Sequence, residues 1–133
     1  MSLEIQHRER EGIHIADLKG RIVMGEEVRH FRDVIVPLVS VEGCRLILNM
    51  AEVAYVDSTG LGALVVCAST SKKASGAIRL LAMNVRNLEL LVTTKLETIF
   101  ENYPEEQDAI NSFFPDRAIK KFDILSFVRE QQG

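Results

Sequence analysis

The sequence predicts an α/β fold: a mixed β-sheet layered against about four helices, with a short C-terminal helical extension. Three observations carry this. Short apolar runs alternate along the chain with stretches whose apolar residues recur every three or four positions, the pattern of strands alternating with amphipathic helices. The first two strand segments are separated only by a short polar turn, so that pair is antiparallel. The chain has 133 residues, 47% of them hydrophobic and 26% charged, which suits one soluble domain able to bury its own core.

Each element follows from local pattern. Leu3 to Gln6 alternates apolar and polar residues, as expected of a strand with one wet face. Arg8-Glu9-Arg10-Glu11-Gly12 reads as a hairpin turn, and Ile13 to Leu18 as the returning strand, ended by Gly20. From about Glu26, Val28, Phe31, Val34, Ile35 and Leu38 form a helical stripe, which Pro37 should end or kink around Val36. Leu46-Ile47-Leu48, within Arg45 to Met50, suits a strand covered on both faces, followed by a loop. A long apolar helix runs from Ser58 to about Lys73, with Gly76 as a stop. Ile78 to Ala82 is another buried strand, and Asn84 caps a third helix bearing Val85, Leu88, Leu91 and Val92. Thr98-Ile99-Phe100 is a short strand candidate. Pro104 suits the first position of a last helix carrying Ala109, Ile110, Phe113 and Phe114, stopped by Pro115. Ile119, Phe122, Leu125 and Val128 then mark a terminal helix whose apolar face packs on the domain or on a partner.

Composition narrows the function. Lys and Arg number 16 against 19 Asp and Glu, a net charge of −3, which does not favour nucleic acid or an anionic membrane. No apolar run approaches transmembrane length, and the N-terminus has no signal-peptide pattern. Cys44 and Cys67 lie among apolar neighbours and read as reduced core residues, consistent with the cytoplasm.

Catalytic and metal motifs are missing. His7, His14 and His30 are scattered, without the spacing of a zinc helix, and each reads as a solvent-facing position. There is no Gly-Lys-Ser/Thr phosphate loop, no complete dinucleotide fingerprint and no nucleophile elbow. Asp57 invites comparison with a phosphorylated receiver aspartate, but no acidic pair precedes it to hold magnesium. No cofactor or metal is expected, nor an enzymatic activity.

Asp57-Ser58-Thr59-Gly60-Leu61-Gly62 is the informative segment. Asp57 is an N-cap whose carboxylate can accept orphan amides of the first turn. Ser58 then places its hydroxyl at the rim, with Thr59 one step further in. Gly60 and Gly62 each disfavour a helix by about 1 kcal/mol relative to Ala. Two such costs in one turn suggest that something approaches the backbone closely. The alternative is that Asp57 only caps and the glycines only pack.

This hexamer, preceded by Leu46-Ile47-Leu48-Asn49-Met50 and Tyr55-Val56, resembles the signature of the STAS domain, most closely that of bacterial anti-sigma factor antagonists. The resemblance covers about residues 3 to 114, including Leu18-Lys19-Gly20 and the Asn84 helix start. It divides the chain into a STAS domain, 1–114, and an extension, 115–133. It implies that Ser58 is the phosphoacceptor. Asp57, Thr59, Gly60, Leu61, Gly62, Arg21, Ile22 and Asn84 are then its support and the partner interface. The partner would be an anti-sigma factor that is also a serine kinase. The unphosphorylated domain would bind it and free the sigma factor, in transcription control of sporulation or stress response, and a phosphatase would reset the switch. The chain departs from the family after Gly20. Where acidic residues are common, it reads Arg21-Ile22-Val23-Met24-Gly25. That departure keeps two alternatives open: a non-phosphorylated subunit bracing an ABC-type lipid-transport ATPase, and a ligand-sensing module. The extension leaves a homodimer open as well.

Overall fold

In a computed structural model, which describes residues 2–132, the elements run β1 (Glu4–Arg10), β2 (Ile13–Ile22), α1 (Glu26–Val39), β3 (Arg45–Val56), α2 (Ser58–Lys73), β4 (Ala77–Leu81), α3 (Val85–Thr93), a 3-10 turn (Leu96–Thr98), β5 (Asn102–Tyr103), α4 (Glu106–Asn111) and α5 (Ile124–Gln132). The five strands form one sheet in sequence order. The first pair is antiparallel and the other three are parallel. Successive parallel strands therefore add in one direction. Right-handed crossovers then put α1, α2 and α3 on the same face.

That face holds the main core, in which Ala16, Leu46, Leu48 and Val56 of the sheet meet Phe31 and Ile35 of α1, Leu64 and Cys67 of α2, and Leu88 and Leu91 of α3. The opposite face carries a smaller core of Ile13, Ile15, Ile47, Leu81 and Tyr103, covered by Ala109 and Ile110 of α4 and by Phe113, Phe114 and Ile119 after it. Guanidinium groups hold that cover down. Arg79 stacks on Phe113 at 4.6 Å, and Arg117 on Phe114 at 3.9 Å. α5 buries Ile124 and Val128 in the main core, against α3. The apolar stripe of the extension is thus covered by its own chain.

Several boundaries differ from the sequence reading, each for a local reason. The hairpin turn is only Glu11-Gly12, both at positive φ, so the charged residues before it belong to β1. β2 does not stop at Gly20. It bulges there, with Gly20 at φ +123°, and runs on to Ile22, because Arg21 and Ile22 pair with Tyr55 and Val56. β3 likewise continues past Met50 to Val56, since Val53 and Val56 are buried. Pro37 does not end α1. It lies exposed in the last turn, where one amide is lost, while Ile35 and Val39 on either side of it are fully buried. Thr98-Ile99-Phe100 is not a strand. Lys95 at φ 61° starts a 3-10 turn, and the amides of Leu80 and Ala82 bond instead to the carbonyls of Glu101 and Tyr103. Pro104 precedes α4 rather than opening it: Glu105 is the N-cap, and Phe113 and Phe114 lie beyond the helix end.

Candidate functional site

The carboxyl ends of β2, β3 and β4 come together at the sheet edge from which α2 and α3 depart. This is where open parallel sheets place their functional groups. Asp57 joins the two sides of this edge. One carboxylate oxygen, Oδ1, accepts from the Gly60 amide at 2.7 Å, which is the N-cap bond. The other, Oδ2, accepts from the Met24 amide at 2.9 Å. The Asp57 amide donates to the Ile22 carbonyl at 3.3 Å. One side chain thus fixes both the start of α2 and the β2–α1 connection. That connection is the segment whose composition departs from the family pattern, and the bond to Met24 is through backbone, so it tolerates the change of side chains.

Gly60 explains itself in this frame. A Cβ built there would lie 1.9 Å from the Ile22 carbonyl oxygen, so only glycine lets β2 pass this close to α2. The close approach is made by the chain itself. Gly62 behaves differently. It is exposed, and a Cβ there would meet nothing within 4 Å. Leu61, between them, is buried in the core. Ser58 and Thr59 are both exposed on the first turn of α2.

Asn84 supports the site from the other side. Its Oδ1 accepts from the Asn87 amide at 2.8 Å, capping α3, while its Nδ2 donates to the carbonyls of Val53 and Ala54. Asn87, almost fully buried, donates a second side-chain bond to the Val53 carbonyl at 3.1 Å. The sequence reading missed Asn87, because an amide inside the first turn of a helix carries no signal until the strand lies beside it. Arg21 is exposed at the end of β2, next to Tyr55 in the register. The Tyr55 ring carries the Arg86 guanidinium at 4.4 Å. Ile22 is fully buried and contributes only its carbonyl. Met24 is 72% exposed, the most exposed large apolar side chain among the described residues. The exposed side chains on the segments that meet at Asp57 are therefore the hydroxyl pair, the apolar Met24 and Arg21, beside the bare Gly62.

Both cysteines are free and buried, and burial pushes the Cys67 thiol up to about 12, which removes it as a nucleophile. No cluster of three or more potential metal ligands and no helix long and apolar enough to cross a membrane occurs among the described residues.

The fold has clear relatives. An anti-sigma factor antagonist from Mycobacterium paratuberculosis superposes with a TM-score of 0.70 at 19% identity, over 83% of this chain and 92% of that one. A Thermotoga maritima protein provisionally given the same role matches with a TM-score of 0.72 at 18% identity, over 81% and 92%. The anti-sigma factor antagonist SpoIIAA in its unphosphorylated form matches with a TM-score of 0.69 at 16% identity, over 86% and 100%. In its phosphorylated form this Bacillus cell-fate determinant matches with a TM-score of 0.62 at 16% identity, over 83% and 99%. Identities this low carry the fold alone. No curated protein matches in sequence. The STAS domain family model matches residues 4–109, most of the described chain, and the chain belongs to the STAS domain family.

Proposed function

We propose that this chain is an anti-sigma factor antagonist switched by phosphorylation of Ser58. The unphosphorylated form docks on a cytoplasmic anti-sigma factor that is also a serine kinase, and so releases the sigma factor. The docking surface is the rim of Ser58, Thr59, Gly62, Arg21 and Met24. Asp57, Gly60, Leu61, Ile22 and Asn84 hold that rim in place. Residues 1–114 form the unit that carries the switch. Nucleotide and magnesium belong to the kinase, and a separate phosphatase resets the site.

One observation carries this reading. Ser58 is exposed at the first turn of a sixteen-residue helix whose cap, Asp57, is already engaged by two backbone amides. A phosphate there adds about −1.5 to −2 charges. The amides of the helix start and the macrodipole accommodate it locally, so the fold survives. A partner closely packed on the unphosphorylated rim would have to bury a dianion beside Asp57 without gaining a new cation, which is strongly unfavourable. Binding is therefore lost by exclusion at the interface, without a conformational change. The exposed Met24 and the non-acidic segment around it favour one second reading: a constitutive subunit that braces a transport ATPase through the same rim.

The deciding experiment is the intact mass of the protein from its native host, before and after phosphatase, with a Ser58→Ala control. The expected result is one phosphoryl group, removed by phosphatase and absent from the variant. A protein that stays unmodified under all growth conditions refutes the switch and leaves the constitutive subunit. A phosphoryl group that persists in Ser58→Ala and disappears in Thr59→Ala moves the acceptor to Thr59.

A further inference from the structure

The sheet has two edges, β1 and β5, and they differ in kind. β5 is two residues long and leads almost at once into α4. β1 is seven residues long, Glu4–Arg10, and all seven pair with β2 on one side only. An edge strand of that length presents a row of unpaired backbone groups to another strand.

The hairpin turn fixes which groups these are. Glu11 and Gly12, at φ 53° and 79°, make a two-residue turn of the primed type, closed by a hydrogen-bonded pair, Arg10 with Ile13. Hydrogen-bonded pairs alternate along an antiparallel ladder, so Arg8, Gln6 and Glu4 also bond to β2. Ile5, His7 and Glu9 therefore turn their amides and carbonyls outward.

A second β1, running antiparallel about a two-fold axis at His7, satisfies all three. Ile5 bonds with Glu9 of the second copy, and His7 with its own counterpart. Glu4 then stands opposite Arg10 and Gln6 opposite Arg8, each twice, in the pairs whose side chains lie closest. Glu4 is exposed and has no ion pair of its own among the described residues. Arg10 gives Nη1 to Glu106 and Nη2 to Gln107, which leaves part of its five-donor fork free. A slide of two residues one way sets Arg8 against itself. The same slide the other way leaves Glu9 and Arg10 with no strand opposite them. The charge pattern of β1 is thus complementary to its own reverse in the one register that pairs the whole strand. We infer that β1 is a docking edge for a second copy of this chain, the two sheets joining into one of ten strands.

The inference does not rest on the proposed switch. The two-fold axis points β2 and β3 of the two copies in opposite directions, which puts the two Ser58 rims at opposite ends of the joined sheet.

Sedimentation equilibrium of the full chain over a concentration series tests it. The wild type should form a dimer. Glu4→Lys and Arg10→Glu each set two like-charged pairs across the axis, and each alone should weaken the dimer by roughly tenfold. Mixed in equal amounts, the two variants make a heterodimer in which both pairs are again opposite in sign, and association should return toward the wild-type level. His7→Cys tests the register without those charges. Residues in a hydrogen-bonded pair stand about 5.5 Å apart at Cα, within disulfide reach, so this variant should cross-link between copies under oxidised glutathione. Gln6→Cys, which faces Arg8 rather than its own counterpart, should not, and the buried Cys44 and Cys67 do not compete. A wild type that stays monomeric at millimolar concentration, a dimer indifferent to both charge reversals, a mixture no tighter than its components, or equal cross-linking of the two cysteine variants would overturn the inference.

Discussion

Gly60 and Gly62 lie two positions apart in one helix, and the structure assigns their replacement by alanine opposite signs. At Gly62 the added methyl meets nothing within 4 Å. Only the backbone term remains, so Gly62→Ala should stabilise by about 0.5–1 kcal/mol. At Gly60 the same intrinsic gain of about 1 kcal/mol is opposed by a clash. The new Cβ would sit 1.9 Å from the Ile22 carbonyl oxygen and 2.9 Å from its carbon, where ordinary contact begins at 3.4 Å. Relief requires β2 and α2 to part by 3.4 − 1.9 = 1.5 Å. The two nearest atoms are main chain in a sheet, so no rotamer change can absorb this. The same movement strains the bonds of Asp57 to Gly60 and to the Ile22 carbonyl. Overpacking costs about 1–3 kcal/mol and a lost cap about 1 kcal/mol more. Net of the helix gain, Gly60→Ala should destabilise by about 1–3 kcal/mol. For a chain of this length that is a fall of roughly 3–12 °C in melting temperature, against a rise of roughly 2–4 °C for Gly62→Ala. Urea unfolding of both variants beside the wild type, with calorimetry as a second probe, measures the pair. Shifts of the same sign, or a Gly60→Ala protein as stable as the wild type, would refute the account of the β2–α2 contact.

Acid stability should depend on Arg8. Its guanidinium bonds to Asp17 and Glu106, and those hydrogen bonds hold both carboxyls below their ordinary range. A lowered folded-state pKa gives stability that is present above the unfolded carboxylate range, near 4, and is lost as pH falls through the folded value. Arg8→Met should therefore flatten the decline in urea midpoint below about pH 4.5, by less than about 1 kcal/mol because the ion pair is partly exposed. Parallel curves for the two proteins would show that the network contributes nothing. Val128 is fully buried where α5 meets the main core. Val128→Ala should cost about 1–3 kcal/mol in urea unfolding and leave the native circular dichroism intact. An unchanged midpoint would mean that α5 does not share the cooperative unfolding of the domain.

Most of the architecture was legible before any coordinates. The order of strands and helices is written in the change of apolar period from two to between three and four, because each element needs one buried face. Asp57 and Asn84 were legible as caps, since an acceptor side chain just before an apolar helix has few other uses. The acidic–serine–threonine–glycine run was legible as the place to look. Boundaries were less so. Pro37, Gly20 and Thr98-Ile99-Phe100 all carry strong local signals, and in each case a neighbour outweighed them: burial of Ile35 and Val39, pairing with Tyr55 and Val56, and the demand of Leu80 and Ala82 for acceptors.

By itself, then, the sequence determined what is local: which segments form strands and helices, where two helices begin, and that Ser58 follows a cap. What only the tertiary structure decided is what lies against what. It made Gly60 a necessity and Gly62 an open surface, although the two are chemically identical. It turned the second oxygen of Asp57 toward Met24, thirty-three residues away, and brought His7 onto His14 across the hairpin. It also covered the apolar stripe of the extension with the domain's own third helix. The physical reason is the same in each case. Propensity and capping act over one turn of chain, whereas close approach, a second acceptor and a cross-strand hydrogen bond depend on segments that only the packed sheet brings together.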